Sequence, residues 1–291
     1  MSHSGRGLVL ALCCVALVLL VPRFVALGAA PDGFYIDEAA IAAQVLCVAE
    51  TGRDASGNAW PLFAAVLGGG QASPTLLYPA AAWSTLMGDS VASLRAVSVL
   101  HGVVAVLTVA LVVGCVARSW SAGLLAGIVG LSSPWWFTNS RIFWDPVFGA
   151  SWWMVALALY WWGRSGSARR TVLLWTLATV AAVLAAYAYP PVRVQMLLSA
   201  LVIVLLDRPW RRAGWGIVIP VLLGALLLVP LLAQYLDAGG FGGRSSMLAI
   251  WNEGWMRDRG HAWVDLPGVM LSHLWQHLDP AYLFLDGDGN R

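Results

Sequence analysis

The chain reads as an all-α, polytopic membrane helix bundle, and three observations predict it. Of 291 residues, 59% are hydrophobic and 11% charged, with a mean hydropathy of +0.74; a soluble domain carries about 25% charge. Apolar segments recur along the chain, separated by short breaks that carry arginine or proline. Many of the 17 tryptophans, among them Trp120, Trp144, Trp161, Trp210 and Trp215, fall near segment ends, where an aromatic belt meets the head groups. The same composition excludes other classes. A net charge of +2 without any basic run interleaved with aromatics excludes a nucleic-acid partner. Every basic residue is Arg. Four cysteines (Cys13, Cys14, Cys47 and Cys115), with no CxxC, make neither a disulfide framework nor that kind of zinc site.

The first apolar segment, 8–28, is interrupted only by Arg23. A signal peptide cleaved near Leu27-Gly28-Ala29-Ala30 competes with this reading, but an apolar core longer than ~7–15 residues and the spans that follow favour an uncleaved span. An amphipathic helix from about Glu38 to Thr51 ends at Gly52, before a turn-rich stretch through Asn58. Residues 75–88, with Pro79 inside, are short for a span and are expected to be interfacial or re-entrant. Further apolar segments run over 96–116, 120–138, 147–163, 171–189, 191–206 and 214–235. Only helices or closed barrels satisfy their backbone in lipid, and these runs are too long for barrel strands. About seven transmembrane helices are therefore expected, in a bundle over 1–237 with an outer loop at 30–90. Residues 238–291 begin an extracytoplasmic segment with a helix around Pro267 to Leu278, and an ending on Asp286-Gly287-Asp288-Gly289-Asn290-Arg291 suggests a fragment of something longer. No tandem repeat is present.

Sidedness follows from the arginines. On alternating spans Arg6, Arg118, Arg164, Arg169, Arg170, Arg208, Arg211 and Arg212 share one face, which the positive-inside rule makes cytoplasmic. Asp37 and Glu38, just after the first span, then lie outside, and so does Asp145 in the 139–146 turn. A structural reading exists for the pair: Asp37 as the helix N-cap, with Glu38 favoured in the first turn by the macrodipole. The convergence of Asp145 on the same leaflet favours chemistry instead. Arg23, Arg95, Arg141 and Arg193 fall at outer span ends. Each alone reads as a snorkelling anchor; together with the acids they read as a mixed-charge cleft suited to a phosphate head group.

The motifs, taken in order, resemble a known family. The acid pair is followed by Thr51-Gly52-Arg53-Asp54-Ala55-Ser56-Gly57 with Pro61. Next come Arg95-Ala96-Val97-Ser98, Ser140-Arg141-Ile142-Phe143-Trp144-Asp145-Pro146, and Tyr187-Ala188-Tyr189-Pro190-Pro191-Val192-Arg193. Last is His277-Leu278-Asp279-Pro280, running on to Leu283-Phe284 and Gly287-Asp288. This series resembles the GT-C superfamily of membrane glycosyltransferases, in its protein-mannosyltransferase and aminoarabinose-transferase branch (glycosyltransferase family 39 type). The family's remaining spans and its C-terminal outer domain do not occur in these residues. The resemblance implies a GT-C-like fold in the bacterial inner membrane. It also implies transfer of a sugar, with inversion, from a polyprenyl-phosphate donor to a hydroxyl on a protein, lipid or glycan acceptor. A carboxylate takes the acceptor proton in such a step, worth on the order of 10²–10⁴ in rate. By this resemblance Asp37 is the base, and Glu38 and Asp145 position the acceptor or hold an optional divalent metal. Arg141, Arg95 and Arg193 bind the donor phosphate. No obligatory cofactor is implied.

Two further patterns carry no site. His273 and His277 have the i, i+4 spacing of a zinc helix without the Glu that a zincin needs. Asp286-x-Asp288-x-Asn290 starts like a calcium loop, but Arg291 stands where Gly is required. His101, in a span without an acid nearby, reads as a packing residue. A transporter or flippase-like carrier is the rival class, and it predicts ionisable groups at mid-membrane depth. From residue 96 onward the span centres hold no Asp, Glu, Lys or Arg, which favours surface chemistry. A purely structural assembly subunit is the third reading.

Overall fold

The computed structural model describes residues 3–67, 70–237 and 253–280. They separate into two compact units, Met1–Leu231 and Leu232–Arg291. In the first unit, α1 (His3–Leu20) runs into a 3₁₀ turn at Val21–Arg23. The loop that follows folds into α2 (Ile36–Thr51), a two-residue hairpin of β1 (Ala64–Ala65) and β2 (Gln71–Ala72), and α3 (Pro74–Met87). Then come α4 (Val91–Val116), α5 (Trp120–Ser132), α6 (Pro134–Ser140), α7 (Asp145–Gly163), α8 (Ala168–Ala188) and α9 (Pro190–Val202). A π-turn over Ile203–Asp207 and the short α10 (Trp210–Ala213) follow, and α11 (Val218–Asp237) runs across the boundary at Leu231. In the second unit α12 (Glu253–Asp258) precedes α13 (Leu266–Leu278), close to the expected Pro267–Leu278.

Boundaries follow local chemistry. Gly52 ends α2 in the left-handed conformation (φ 67°), its N–H donating to the Val48 carbonyl, as a glycine at this position permits. Ser90 opens α4 by accepting the Ser93 N–H, five residues ahead of the expected start. At the other end of the α4–α5 hairpin, Ser119 does the same for Ala122.

Among the described residues four helices are long and apolar enough to cross a membrane: Val91–Val116, Ala168–Ala188, Pro190–Asp207 and Trp210–Gln234. The pair Pro134–Ser140 and Asp145–Gly163, bent by 114°, makes a fifth if it counts as one span. Two of the seven expected segments thus come out shorter. Ser133 caps α6 through the Trp136 N–H, and Pro134 occupies its first turn. The apolar run 120–138 is therefore cut, and α5 keeps 13 residues, about 20 Å of helix against a hydrocarbon core of ~30 Å. Leu10–Arg23 is likewise short.

Within the bundle α7 lies along α8 and α4, and α4 along α5, which also meets α1. The largest core is not between the spans. It joins α2, the hairpin and α3 to one end of α4, α7 and α8, through Ile41, Val45, Leu76, Leu77, Leu94 and Phe148. The first loop is thus a packed cap on one end of the bundle, and this cap positions the candidate site.

Candidate functional site

The site begins at the first turn of α2. Tyr35, extended at φ −61° and ψ 151°, precedes the helix, and its N–H donates to Oε2 of Glu38 at 3.1 Å. That carboxylate also receives Nε and Nη2 of Arg95 at 2.9 and 2.7 Å and the Phe143 N–H at 2.8 Å. Glu38 and Arg95 are both 1% exposed. Glu38 therefore closes the helix start and ties α2 to α4 and to the turn before α7. Its lone pairs are used by the protein, which differs from the expected acceptor- or metal-facing group. Asp37, one residue earlier, is half-buried and has no hydrogen-bond partner among the described residues. The cap expected of Asp37 is supplied by its neighbour.

Asp145 is the first residue of α7. Its Oδ1 accepts the Ser73 hydroxyl at 2.8 Å, and Ser73 sits buried at the start of α3. The Asp37 charge acts on Asp145, and the Asp145 charge acts on the Tyr189 phenol at the α8–α9 break. Two carboxylates more than a hundred residues apart thus feel each other's charge, and one of them is held by a serine. Gly149, one turn into α7, allows this close approach: a Cβ there would lie 2.8 Å from that of Tyr189.

The expected phosphate-binding arginines divide. Besides Glu38, Arg95 donates to the carbonyls of Leu27, Pro31 and Gly33 at 2.7–3.0 Å. Arg141, 4% exposed, donates to Pro22, Arg23, Val25, Ala26 and Ala30 at 2.7–3.4 Å. Arg23 is fully enclosed and binds the Ser140 hydroxyl and the carbonyls of Gly130, Leu131 and Trp136. The Arg23 and Arg141 guanidiniums each lie over the Phe137 ring, at 5.4 and 5.1 Å. These three arginines staple the 20–33 segment to the bundle; they are neither snorkelling anchors nor donors held out to a ligand. Arg193 is only partly buried, its Nε on the Ala186 carbonyl at 2.8 Å.

No protein-family model, no curated protein and no solved structure matches the chain.

The Thr51–Gly57 motif builds a turn. Asp54 Oδ1 accepts the N–H groups of Ser56 and Asn58, and Oδ2 accepts the Asn58 side-chain amide at 2.9 Å. Arg53 closes the loop on the Gly57 carbonyl, and Gln44 on α2 holds it through the Ala55 N–H. The Asn58 side chain, more than any other contact, holds the Asp54 carboxyl below its usual range. Tyr78, donating to the Pro61 carbonyl at 2.7 Å, is pushed up by burial.

Ser73 is the site residue that the sequence reading missed. Its signal, Ser before Pro, marks a helix start and says nothing of a carboxylate partner. Tyr189 lay inside a quoted motif without a role. His101 packs against Phe148 (ring centroids 4.1 Å apart), Nδ1 on the Val97 carbonyl. The His277 side chain, the 286–290 acidic run and the Leu283–Asp288 part of the family motif lie outside the described residues. Among those described, no group of three His, Cys, Asp or Glu side chains could hold a metal ion.

Proposed function

We propose that the chain is a GT-C-type glycosyltransferase in a bacterial inner membrane, moving a sugar from a polyprenyl-phosphate donor to a hydroxyl acceptor at the outer face. The observation that supports it best is the electrostatic influence of Asp37 on Asp145 and of Asp145 on Tyr189. A base must be unencumbered and close to a second polar group that orients the acceptor. Asp37 meets the first requirement, because Glu38 has taken over the structural work. Asp145, fixed by Ser73, meets the second. The acceptor oxygen attacks the anomeric carbon, the carbon–phosphate oxygen bond breaks, the proton passes to Asp37 and the lipid phosphate leaves. Of the three arginines, Arg193 is the most exposed and is the one proposed to face that phosphate; Arg95 and Arg141 act through the fold. A divalent metal at the acids would be an addition to this mechanism rather than a requirement.

The test is sugar transfer from radiolabelled polyprenyl-phosphate sugar by the reconstituted chain. Asp37→Asn should keep the wild-type unfolding temperature and lose about 10²–10⁴ in rate. Undiminished transfer by that variant would remove Asp37 from the chemistry and leave the proposal without a base.

A further inference from the structure

At the opposite end of α7 from Asp145, 19 residues or about 28 Å away along the helix, lies a second charged assembly. It belongs to the side that the arginine distribution assigns to the cytoplasm. A cavity of about 610 Å³ opens there, lined by Arg164, Asp207, Arg208, Arg211 and Arg212 and by the apolar Leu205 and Leu206. One carboxylate against four guanidiniums leaves an excess of three positive charges.

The charges fall into two sets. Asp207 accepts Nε and Nη2 of Arg164 at 3.1 and 2.8 Å, and the Tyr160 hydroxyl as well. Arg212 approaches the same carboxylate at 3.5 Å and donates to the Arg164 carbonyl at 3.0 Å. This network is the frame of the cavity. Arg208 and Arg211 stand outside it, and among the described residues neither side chain has a hydrogen-bond acceptor or a carboxylate partner. The backbone is bent to hold this arrangement. A π-turn over Ile203–Asp207 ends the span, and Arg208 takes φ 48°, a left-handed conformation that a residue with a Cβ rarely adopts. Exposed Leu206 and Trp215, 80% and 92% accessible, mark the place as the boundary between hydrocarbon and head groups.

We infer that this cavity binds the phosphate of an anionic phospholipid. Two uncommitted guanidiniums supply bidentate donors for phosphate oxygens. The apolar rim of Leu205 and Leu206 suits the first methylenes of acyl chains, and a basic pocket between spans on the cytoplasmic side suits an acidic head group. The inference is independent of sugar transfer, since the cavity and the acids occupy opposite ends of α7.

The test uses the full chain in mild detergent, with phosphatidylglycerol, phosphatidylcholine and inorganic phosphate as separate probes. Lipid retention is read by native mass spectrometry and stabilisation by the unfolding midpoint. Phosphatidylglycerol should bind and stabilise while phosphatidylcholine does neither. Arg208→Gln with Arg211→Gln should weaken binding about 30-fold, roughly fivefold for each charge. Arg169→Gln with Arg170→Gln, on the same face but outside the cavity, should leave it unchanged. Should the first double variant lose its unfolding transition, Arg211→Gln alone carries the measurement, with about a fivefold effect. Inorganic phosphate stabilising the chain as strongly as the lipid would uphold a phosphate site with a soluble source. Equal losses from both double variants would show diffuse surface attraction and overturn the site. So would the absence of binding by lipid and phosphate alike.

Discussion

Glu38 and Arg95 meet through two short hydrogen bonds, 2.9 and 2.7 Å, in a place where both side chains are 1% exposed. Removing one partner of such a pair leaves the other charge enclosed, which costs about 3–5 kcal/mol. Glu38→Ala should therefore lower the unfolding midpoint strongly and reduce the folded yield. Asp37→Asn, one residue away, should do neither. Thermal unfolding of the two variants side by side separates the structural acid from the one proposed as the base. Equal midpoints would show that Glu38 is not the tie between α2 and α4.

Arg141 reaches five carbonyls from two nitrogens, spread from Pro22 to Ala30. A lysine has one nitrogen and cannot span that set. Hydrogen bonds to a charged group are worth about 1.5–3 kcal/mol each, so Arg141→Lys should lose about 3 kcal/mol despite keeping its charge. Limited proteolysis should then cut first between residues 20 and 33, the segment this side chain fastens. A variant with wild-type stability and no new cleavage there would contradict the stapling role.

Helix type and the end of α2 were legible because apolar length and a left-handed glycine are local signals: Gly52 stops the helix where its sequence says it should. Sidedness, a count along the chain that needs no tertiary knowledge, was what pointed to the acids as a group. What stayed hidden was which polar groups the fold would consume. Locally only the Tyr35 N–H distinguishes Glu38 from Asp37, and the burial of Glu38 comes from Arg95 and Phe143, far along the chain. Likewise Arg95, Arg141 and Arg193 look alike at span ends. Two of them are spent on carbonyls of an irregular segment whose path no periodicity encodes. The break at Ser133-Pro134 was readable as a capped helix start, but hydropathy averaged over 120–138 conceals it.

Asp54 gives the first loop a pH dependence. Its carboxyl is held below the usual 3.8, mainly by the Asn58 side-chain amide, with burial opposing and the Asn58 and Ser56 N–H groups adding to it. A depressed folded value stabilises the loop above the unfolded pKa, and the benefit disappears as pH falls through the folded one. Protection of the Ser56 and Asn58 amides, taken relative to their intrinsic exchange rates, should thus hold from neutral pH down to the ordinary carboxylate range and fall only below it. Asp54→Asn should show fast exchange at every pH. Loss of protection already near neutrality would mean that the turn rests on other contacts.

Gly149 decides how closely Tyr189 can approach the Asp145 end of α7. An alanine Cβ would sit 2.8 Å from Tyr189 Cβ and 3.3 Å from Val192 Cγ2. The nearer atom lies next to the backbone, so a flexible tip cannot simply swing aside; α7 and α8 must part or Tyr189 must shift. Overpacking costs about 1–3 kcal/mol, whereas the better helix propensity of alanine returns about 1 kcal/mol. Gly149→Ala should come out mildly destabilised, yet impaired in transfer well beyond that loss, because Tyr189 moves relative to both acids. Tyr189→Phe keeps the ring and removes the phenol, so it reports what the hydroxyl alone contributes. Wild-type transfer in both variants would take Tyr189 out of the site and leave Asp37, Asp145 and Ser73 as its members.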